Sequence, residues 1–283
     1  MIRQKSFEQE QACVYLVPTP IGNLNEMTSR ALDILRKVDH VAAEDTRNTG
    51  KLLKHYDIHT HLISSHEHNQ EKAIPYILSL IEQGDSIAIV SDAGYPLLSD
   101  PGQHLVEELI RHSIPVISIS GANAALNALV ASGLSCYHYL FYGFLDSKSS
   151  KRKKELEALS SFPYTLIFYE APHRIEAMLE DVFAVFGNRK MTLARELTKV
   201  HEEYLRGTVL EIKEVASSLK GEMVVVIEGY QEEEGYDLEQ ACQEILELAQ
   251  TMKLKQACKQ IADKYKASKN ELYKEVLKRK EMV

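Results

Sequence analysis

IAIVSDAGYPLLSDPG (Ile87–Gly102) runs from an unbroken apolar stretch straight into small, acidic and turn-forming residues. Four apolar residues in a row suit a strand buried on both faces. A strand that ends in a Gly/Pro-punctuated corner before a helix is how open α/β sheets build ligand sites. Three more stretches repeat the plan: VYLVPTPIGN (Val14–Asn23), PVISISGANA (Pro115–Ala124) and TLIFYEAPHR (Thr165–Arg174). At such corners, exposed N–H groups and helix N-termini face whatever lies beyond the strand ends. Four corners in one chain imply a small molecule held between two domains, and so an enzyme.

Working outward, residues 14–120 alternate the two periodicities. Strands are expected at Val14–Val17, Val38–Ala43 and Ile87–Val90, and helices at Met27–Val38, Ala73–Ile81 and Leu105–Arg111. The last helix is expected to start on Asp100 as N-cap with Pro101 at its first position. Alternating elements of this kind give a mostly parallel sheet. Residues 121–230 read as a second α/β domain. Its expected strands are Tyr139–Phe144, Thr165–Tyr169, Met191–Ala194 and Met223–Glu228, with helices at Lys153–Leu159 and Arg174–Phe186, the latter with Pro172 near its start. The small-residue join Gly121–Gly133 is expected to be helical and to bridge the domains. Residues 231–283 read as a separate helical module, with helices at Leu238–Ala249, Leu254–Tyr265 and Ser268–Lys278, the third opening on a Ser268/Glu271 capping box. Residues 1–13 lack the apolar core of a signal peptide and read as a mobile tail.

The 283 residues suffice for two domains with their own cores, and no apolar run is long enough for a membrane helix. A cytoplasmic location is expected. Cys13, Cys136, Cys242 and Cys258 form no CxxC pair, which disfavours zinc and disulfides and favours buried free thiols. The net charge of −8 argues against non-specific coating of nucleic acid. That average hides local contrast. Residues 231–250 carry seven acids and no Lys or Arg, residues 251–283 carry ten Lys or Arg against four acids, and KSSKRKK (Lys148–Lys154) packs five positive charges into seven residues. A polyanion can therefore be met locally.

Several familiar motifs fail. A P-loop ending on Thr49-Gly50-Lys51 would need glycine at Asp45 and a Ser/Thr at Leu52. No GxGxxG follows the first strand and no GxSxG is present. His66-Glu67-His68 lacks HExxH spacing, so a polar loop is preferred to a metal site and no metal is expected. Two charged strings at strand ends, Glu44-Asp45-Thr46-Arg47 and Arg195-Glu196 with Lys199, suit a cleft for a charged polymer. Asp45 or Thr46 can equally cap a helix. In the functional reading Glu44 or Asp45 orients or deprotonates a hydroxyl, with Glu196 as a further carboxylate. Arg47, Lys51, His66, Arg174 and Lys199, with Lys151, Arg152 and Lys153 from the basic run, hold phosphates.

VPTPIGNL, AAEDTRNTGKLLKH, HEHN, SDAGYPLLSDPG, FYEAPHR, ARELTK and KGEMVVVIEG, in that order, resemble the ribosomal RNA methyltransferases of the tetrapyrrole methylase superfamily over residues 14–230. The tail with SKNELY resembles their C-terminal module. The resemblance implies an α/β protein of two domains with the cofactor in the interdomain cleft, working as a homodimer. It implies S-adenosylmethionine-dependent methylation of a cytidine ribose 2′-hydroxyl in the decoding region of 16S rRNA, within the small ribosomal subunit. By analogy the cofactor lies against Pro20, Gly22, Asp92, Ala93, Gly94, Tyr95, Pro96, Asn123, Ala124, Tyr169, Glu170, Arg195, Gly221, Glu222 and Met223, with Glu196 beside it. The chain departs from the pattern at Tyr95, where a small residue is common, and at Ser120–Ala124, where PGPSA is common. A small-tetrapyrrole methylase and a non-catalytic ribosome-assembly factor remain open alternatives.

Overall fold

The computed structural model describes residues 1–6, 11–65, 70–100, 102–231, 237–265, 267 and 269–280, in two compact units, Met1–Tyr230 and Gln231–Val283. The first unit holds two five-stranded sheets. Strands β1 (Val14–Leu16), β2 (His40–Ala43), β3 (His61–Ser64), β4 (Ile87–Val90) and β5 (Val116–Ser118) form the first, in the order β3-β2-β4-β1-β5, all parallel. Helices α1 (Ser29–Lys37), α2 (Thr46–His55), α3 (Gln70–Glu82) and α4 (Gln103–Arg111) connect them.

Strand β4 shows why an unbroken apolar run was needed. Successive side chains point to opposite faces. Ala88 and Val90 join Leu35 of α1 and Leu53 of α2, while Ile87 and Ile89 join Ile77 of α3 and Leu109 of α4. Both faces are covered, so no polar alternation is possible. Amphipathic α1 does the complementary job, burying Ala31 and Leu35 under a Thr28 cap that accepts from the Ala31 N–H.

The second sheet runs β6-β7-β10-β8-β9, from β6 (Tyr139–Phe144), β7 (Thr165–Glu170), β8 (Lys190–Arg195), β9 (Glu203–Thr208) and β10 (Met223–Ile227). Only β6 and β7 pair in parallel; the rest of the ladder is antiparallel. Helices α6 (Ser149–Leu159), α7 (Ile175–Phe186) and α8 (Val209–Ala216) cover the face carrying Met223, Val225 and Ile227. On the other face α5 (Ala124–Val130), which follows β5, packs Ala125, Ala128 and Leu129 against Val224 and Val226, with Ile21 from the β1 corner alongside. The join is therefore helical and locks one sheet's corners to the other's inner face.

Several boundaries differ from expectation. Helix α4 starts at Gln103 with Gly102 as N-cap, at φ +125°, and no side-chain cap; Asp100 is freed for another use, and Pro101 lies outside the described residues. Helix α7 starts at Ile175 with Arg174 as N-cap, so Pro172 precedes it. Strands β3 and β9 and helix α8 were not foreseen, whereas α2 follows the Asp45 cap that was one of two readings of its string. β3 and β9 are polar edge strands with exposed positions, and α8 is set by a Thr208/Glu211 capping box. In the N-terminal tail Gln4 both donates to the Val116 carbonyl and accepts from the Val116 N–H. Cys136 is exposed, unlike the other three thiols.

The second unit is three helices, α9 (Leu238–Leu248), α10 (Leu254–Tyr265) and α11 (Lys269–Lys280). Small residues at the crossings, Ala241, Cys242, Ala257, Cys258 and Ala262, pack with Ile245, Ile261, Leu272 and Val276. Asp237 caps α9, and Glu244 accepts from Lys264 and Tyr265. Ser268, the expected cap of α11, lies outside the described residues.

Candidate active site

The corners after β1, β4 and β5 are tied to one another by backbone. Thr19 and Gly94 exchange N–H···O bonds of 2.9 and 3.0 Å, with Gly94 at φ +75°, a conformation that costs glycine least. Tyr95 Oη accepts from the Gly121 N–H at 3.0 Å, joining the β4 and β5 corners. The tyrosine that departs from the family's small residue is thus a strut. Asn123, where the family pattern also changes, caps α5 by accepting from the Leu126 N–H at 2.9 Å. Gly22 brings the β1 corner against the loop after β8; a Cβ there would come within 2.8 Å of Thr198 Oγ1.

Between these corners and the ends of β7 and β10 lies a cavity of about 370 Å³. Ten of the expected cofactor residues line it: Asp92, Ala93, Gly94, Tyr95, Asn123, Ala124, Tyr169, Glu170, Glu222 and Met223. Pro20 and Gly22 instead line a neighbouring cavity of about 280 Å³, and Pro96 a crevice of about 20 Å³. Arg195 and Gly221 line none of the three. Arg195 donates to Glu203 and to the Lys220 carbonyl, and Gly221 rests on the Glu196 side chain, so both shape the 220–223 loop from behind. Sequence reasoning missed Ile21, Leu98, Ser99, Asp100, Phe144, Ala171, Pro172, Leu197 and Val224. Apolar residues in a strand or corner carry no signal of which face they show, and Asp100 had been assigned to a cap.

The lining fits a ligand with an apolar ring system and cationic or N–H-bearing ends. Ile21, Leu98, Phe144, Leu197 and Val224 give apolar walls. Glu170, with a fully buried side chain, offers Oε2 without a hydrogen-bond partner among the described residues. Burial raises its pKa, against the Ala171 N–H and the charge of Arg174. Arg174 Nε lies 3.1 Å from Glu170 Oε1 but out of hydrogen-bond alignment, and the guanidinium also donates to the Leu145 carbonyl. Glu170 Oε2 is sealed beneath the wall, and the carboxylates open to the cavity are those of Asp92 and Glu222, which can meet a cation. S-adenosylmethionine has an adenine ring, a sulfonium and an ammonium, and meets each of these features.

The 280 Å³ cavity adjoins this one through Asp92. Asn48, Lys51 and His55 of α2 line it, facing Thr19, Pro20 and Gly22. Lys51 is exposed, as a phosphate contact must be. Asn48 Nδ2 donates to Asp92 Oδ2 at 3.1 Å, linking the β2 and β4 corners.

Four expected roles change. Asp45 is the N-cap of α2, accepts from the Arg47 N–H at 2.8 Å, and pairs with both Nε and a terminal nitrogen of Arg47. The Arg47 side chain holds its carboxyl down at about 2, too acidic for a base near neutral pH. Asp45 instead aims Arg47, which is 86% exposed. Glu196 accepts from Lys199 Nζ at 3.0 Å and from the Glu222 N–H at 3.1 Å, and the Lys199 bond leads the lowering of its pKa. It clamps two loops and is spent there, and Lys199, shared with Glu222, is spent with it. Arg152 is not a nucleic-acid contact. Its side chain is buried, pairs with Asp181 at 2.6 Å and donates to the Asp146, Ser147 and Ala177 carbonyls. Its neighbours Lys151 and Lys153 stay partly exposed beside Asp146 and Asp181. Glu44 remains exposed at the end of β2. His66 lies outside the described residues. No cluster of three or more metal ligands occurs among the described residues, nor any helix long and apolar enough to cross a membrane.

Comparison with known proteins gives a consistent answer. Residues 13–213 match the family model for tetrapyrrole (corrin/porphyrin) methylases. The chain is 45% identical over 281 residues to ribosomal RNA small subunit methyltransferase I of Streptococcus pyogenes serotype M18, covering 96% of this chain and 98% of that protein. It is 47% identical over 242 residues to the protein of that name from Bacillus subtilis, covering 84% and 83%. Among solved structures, uroporphyrin-III C-methyltransferase of Thermus thermophilus in complex with S-adenyl homocysteine superposes with a TM-score of 0.55 at 18% identity, covering 77% of this chain and 97% of that one. At that identity the likeness is one of fold.

Proposed function

The chain belongs to the tetrapyrrole methylase family, in the branch of the ribosomal RNA small subunit methyltransferases I, and we propose that it transfers a methyl group from S-adenosylmethionine to ribosomal RNA. The acceptor is the 2′-hydroxyl of a cytidine ribose in the decoding region of 16S rRNA, presented by the small ribosomal subunit in the cytoplasm. The observation that carries the reading is the pair of adjoining cavities: one with apolar walls and the carboxylates of Asp92 and Glu222, the other edged by Lys51 and His55. A cationic donor suits the first and a phosphate-bearing polymer the second.

The donor supplies an electrophilic methyl on a sulfonium. Asn123, Ala124 and the Asp92–Tyr95 corner hold it from the first sheet, and Tyr169, Glu170, Glu222 and Met223 from the second. Arg47 and Lys51 fix the phosphates, with Lys151 and Lys153 further out, and Glu44 orients the incoming ribose. Aligning two reactants in this way removes much of the entropic part of the barrier. The protein works as a homodimer. Exposed Tyr137, with Tyr139 and Phe144 on the edge strand β6, offers an apolar surface suited to a second copy. Residues 14–120 and 121–230 act as the two halves of the donor cleft, and 231–283 as an accessory module.

Incubation with methyl-labelled donor and small ribosomal subunits lacking the modification tests this. Label appearing in 16S rRNA at one cytidine is the expected result. Label that enters only a tetrapyrrole, or no label with tight donor binding absent, would overturn it.

A further inference from the structure

The geometry points to Asp100 as the group that takes the proton from the attacking hydroxyl, a role that rests on the methyl-transfer reading above. Asp100 belongs to both the donor cavity and the small crevice beside it that Glu44 and Ser91 line. It therefore stands on the wall of the donor cavity at the side where Glu44, the residue assigned to orient the ribose, comes closest through the crevice they share. The corner that carries it is held in an uncommon backbone: Leu97 at φ +74° and Ser99 at φ +70° are left-handed without being glycine. Such conformations are strained for residues with a Cβ and persist where the surroundings enforce them. Release from capping α4 leaves the carboxylate available.

The groups that act on Asp100 come from three elements. Glu44 at the end of β2 and Asp92 after β4 are like charges, Ser91 is a hydrogen-bond donor, and Tyr169 of β7 faces it across the cavity. No cation is among them. Burial first, then Glu44, lifts the carboxyl from 3.8 to about 6, against the pull of Ser91. A base is most useful when its pKa lies close to working pH, and Asp100 meets that condition where Asp45 does not.

In the step, the hydroxyl oxygen bonds to the methyl carbon while the carbon–sulfur bond breaks, its electron pair passing to sulfur. The hydroxyl proton passes to the Asp100 carboxylate, which later gives it up to water. The other role open to this carboxylate is a counter-charge gripping the cationic donor.

The test combines kinetics with binding. For the wild type, kcat/KM for the donor rises with pH through one ionisation near 6 and then levels off. Asp100→Asn lowers kcat about 100-fold and removes that ionisation, a typical size for loss of a general base. Its dissociation constant for S-adenosylhomocysteine, by calorimetry, stays within about threefold, which also shows that the variant is folded. Asp100→Glu restores part of the rate and the ionisation, and Glu44→Gln moves the ionisation to lower pH because a like charge has gone. Asp100→Asn retaining kcat and the ionisation overturns the assignment. So does weakened binding with kcat unchanged at saturating donor, which would make Asp100 a donor grip. A wild type that methylates no rRNA contradicts the proposed substrate instead, and the calorimetric arm keeps the two failures apart.

Discussion

Two corners of one parallel sheet, after β2 and after β4, each carry an aspartate, and the structure drives them in opposite directions. Asp45 accepts three hydrogen bonds from Arg47, one from its backbone N–H and two from its guanidinium, at a helix start and sits at about 2. Asp100 is half-buried beside two carboxylates and sits at about 6. A cation and backbone N–H groups stabilise the charged form; burial among like charges disfavours it. In the sequence both residues read as candidate helix caps, so the string alone does not separate a strut from a base. What surrounds the carboxylate decides.

The largest effect that sharpens the contrast is on turnover. Asp100→Asn costs about 100-fold in kcat, whereas Asp45→Asn, which keeps a cap but lets Arg47 go, raises KM for rRNA a few-fold and moves kcat by less than about twofold. Equal losses of kcat in both variants, measured under saturating donor, would erase the distinction.

Stability offers a second break. Folded Asp100 binds its proton more tightly than the unfolded chain does. Stability is therefore highest below about 4 on its account and falls as pH rises towards 6. Asp100→Asn removes that loss and, discounted for the carboxyl's partial exposure, stabilises the protein by about 1 kcal/mol at pH 7.5 but not at pH 4. For Asp45 the sign reverses: its contribution is present above about 4 and is lost as pH falls towards 2. Denaturation of Asp100→Asn at pH 4 and 7.5, and of the Asp45 variant at pH values on either side of about 3, reads this directly, and a destabilised Asp100→Asn at pH 7.5 would count against the burial argument.

Tyr95→Phe takes from the Gly121 N–H its hydroxyl acceptor and costs about 1–2 kcal/mol, seen as a lower urea midpoint. An unchanged midpoint would mean that water replaces the strut. The smallest effect is Arg47→Ala, which weakens rRNA binding uniformly and reduces the slope of log K against log salt by about 1. An unaltered slope would remove Arg47 from the phosphate contacts.

The parts of the fold legible in the sequence were those with a two-sided core. Ile87–Val90 is apolar without a break because helices press on both faces, and its limits match the strand. Edge strands such as Glu203–Thr208 meet solvent along part of their length and carry no such pattern. In the site, glycine and small-residue corners announced the cavity, since close backbone approach restricts residue type. The partners of charged groups were not legible. KSSKRKK reads as one basic patch, yet Asp181, some thirty residues on, pulls Arg152 into the core and leaves Lys151 outside. Asp100 was hidden for the same reason: Asp-Pro-Gly before a helix is a good capping signal, and only the fold shows Gly102 taking that place.

The most direct test of the central claim uses the chemistry of the product. A 2′-O-methyl group removes the hydroxyl that alkali needs to cleave the next phosphodiester. Small-subunit rRNA labelled by the enzyme and hydrolysed in alkali should yield the label in one alkali-stable dinucleotide beginning with cytidine. Label recovered in a mononucleotide, which would place the methyl on a base, would contradict the account.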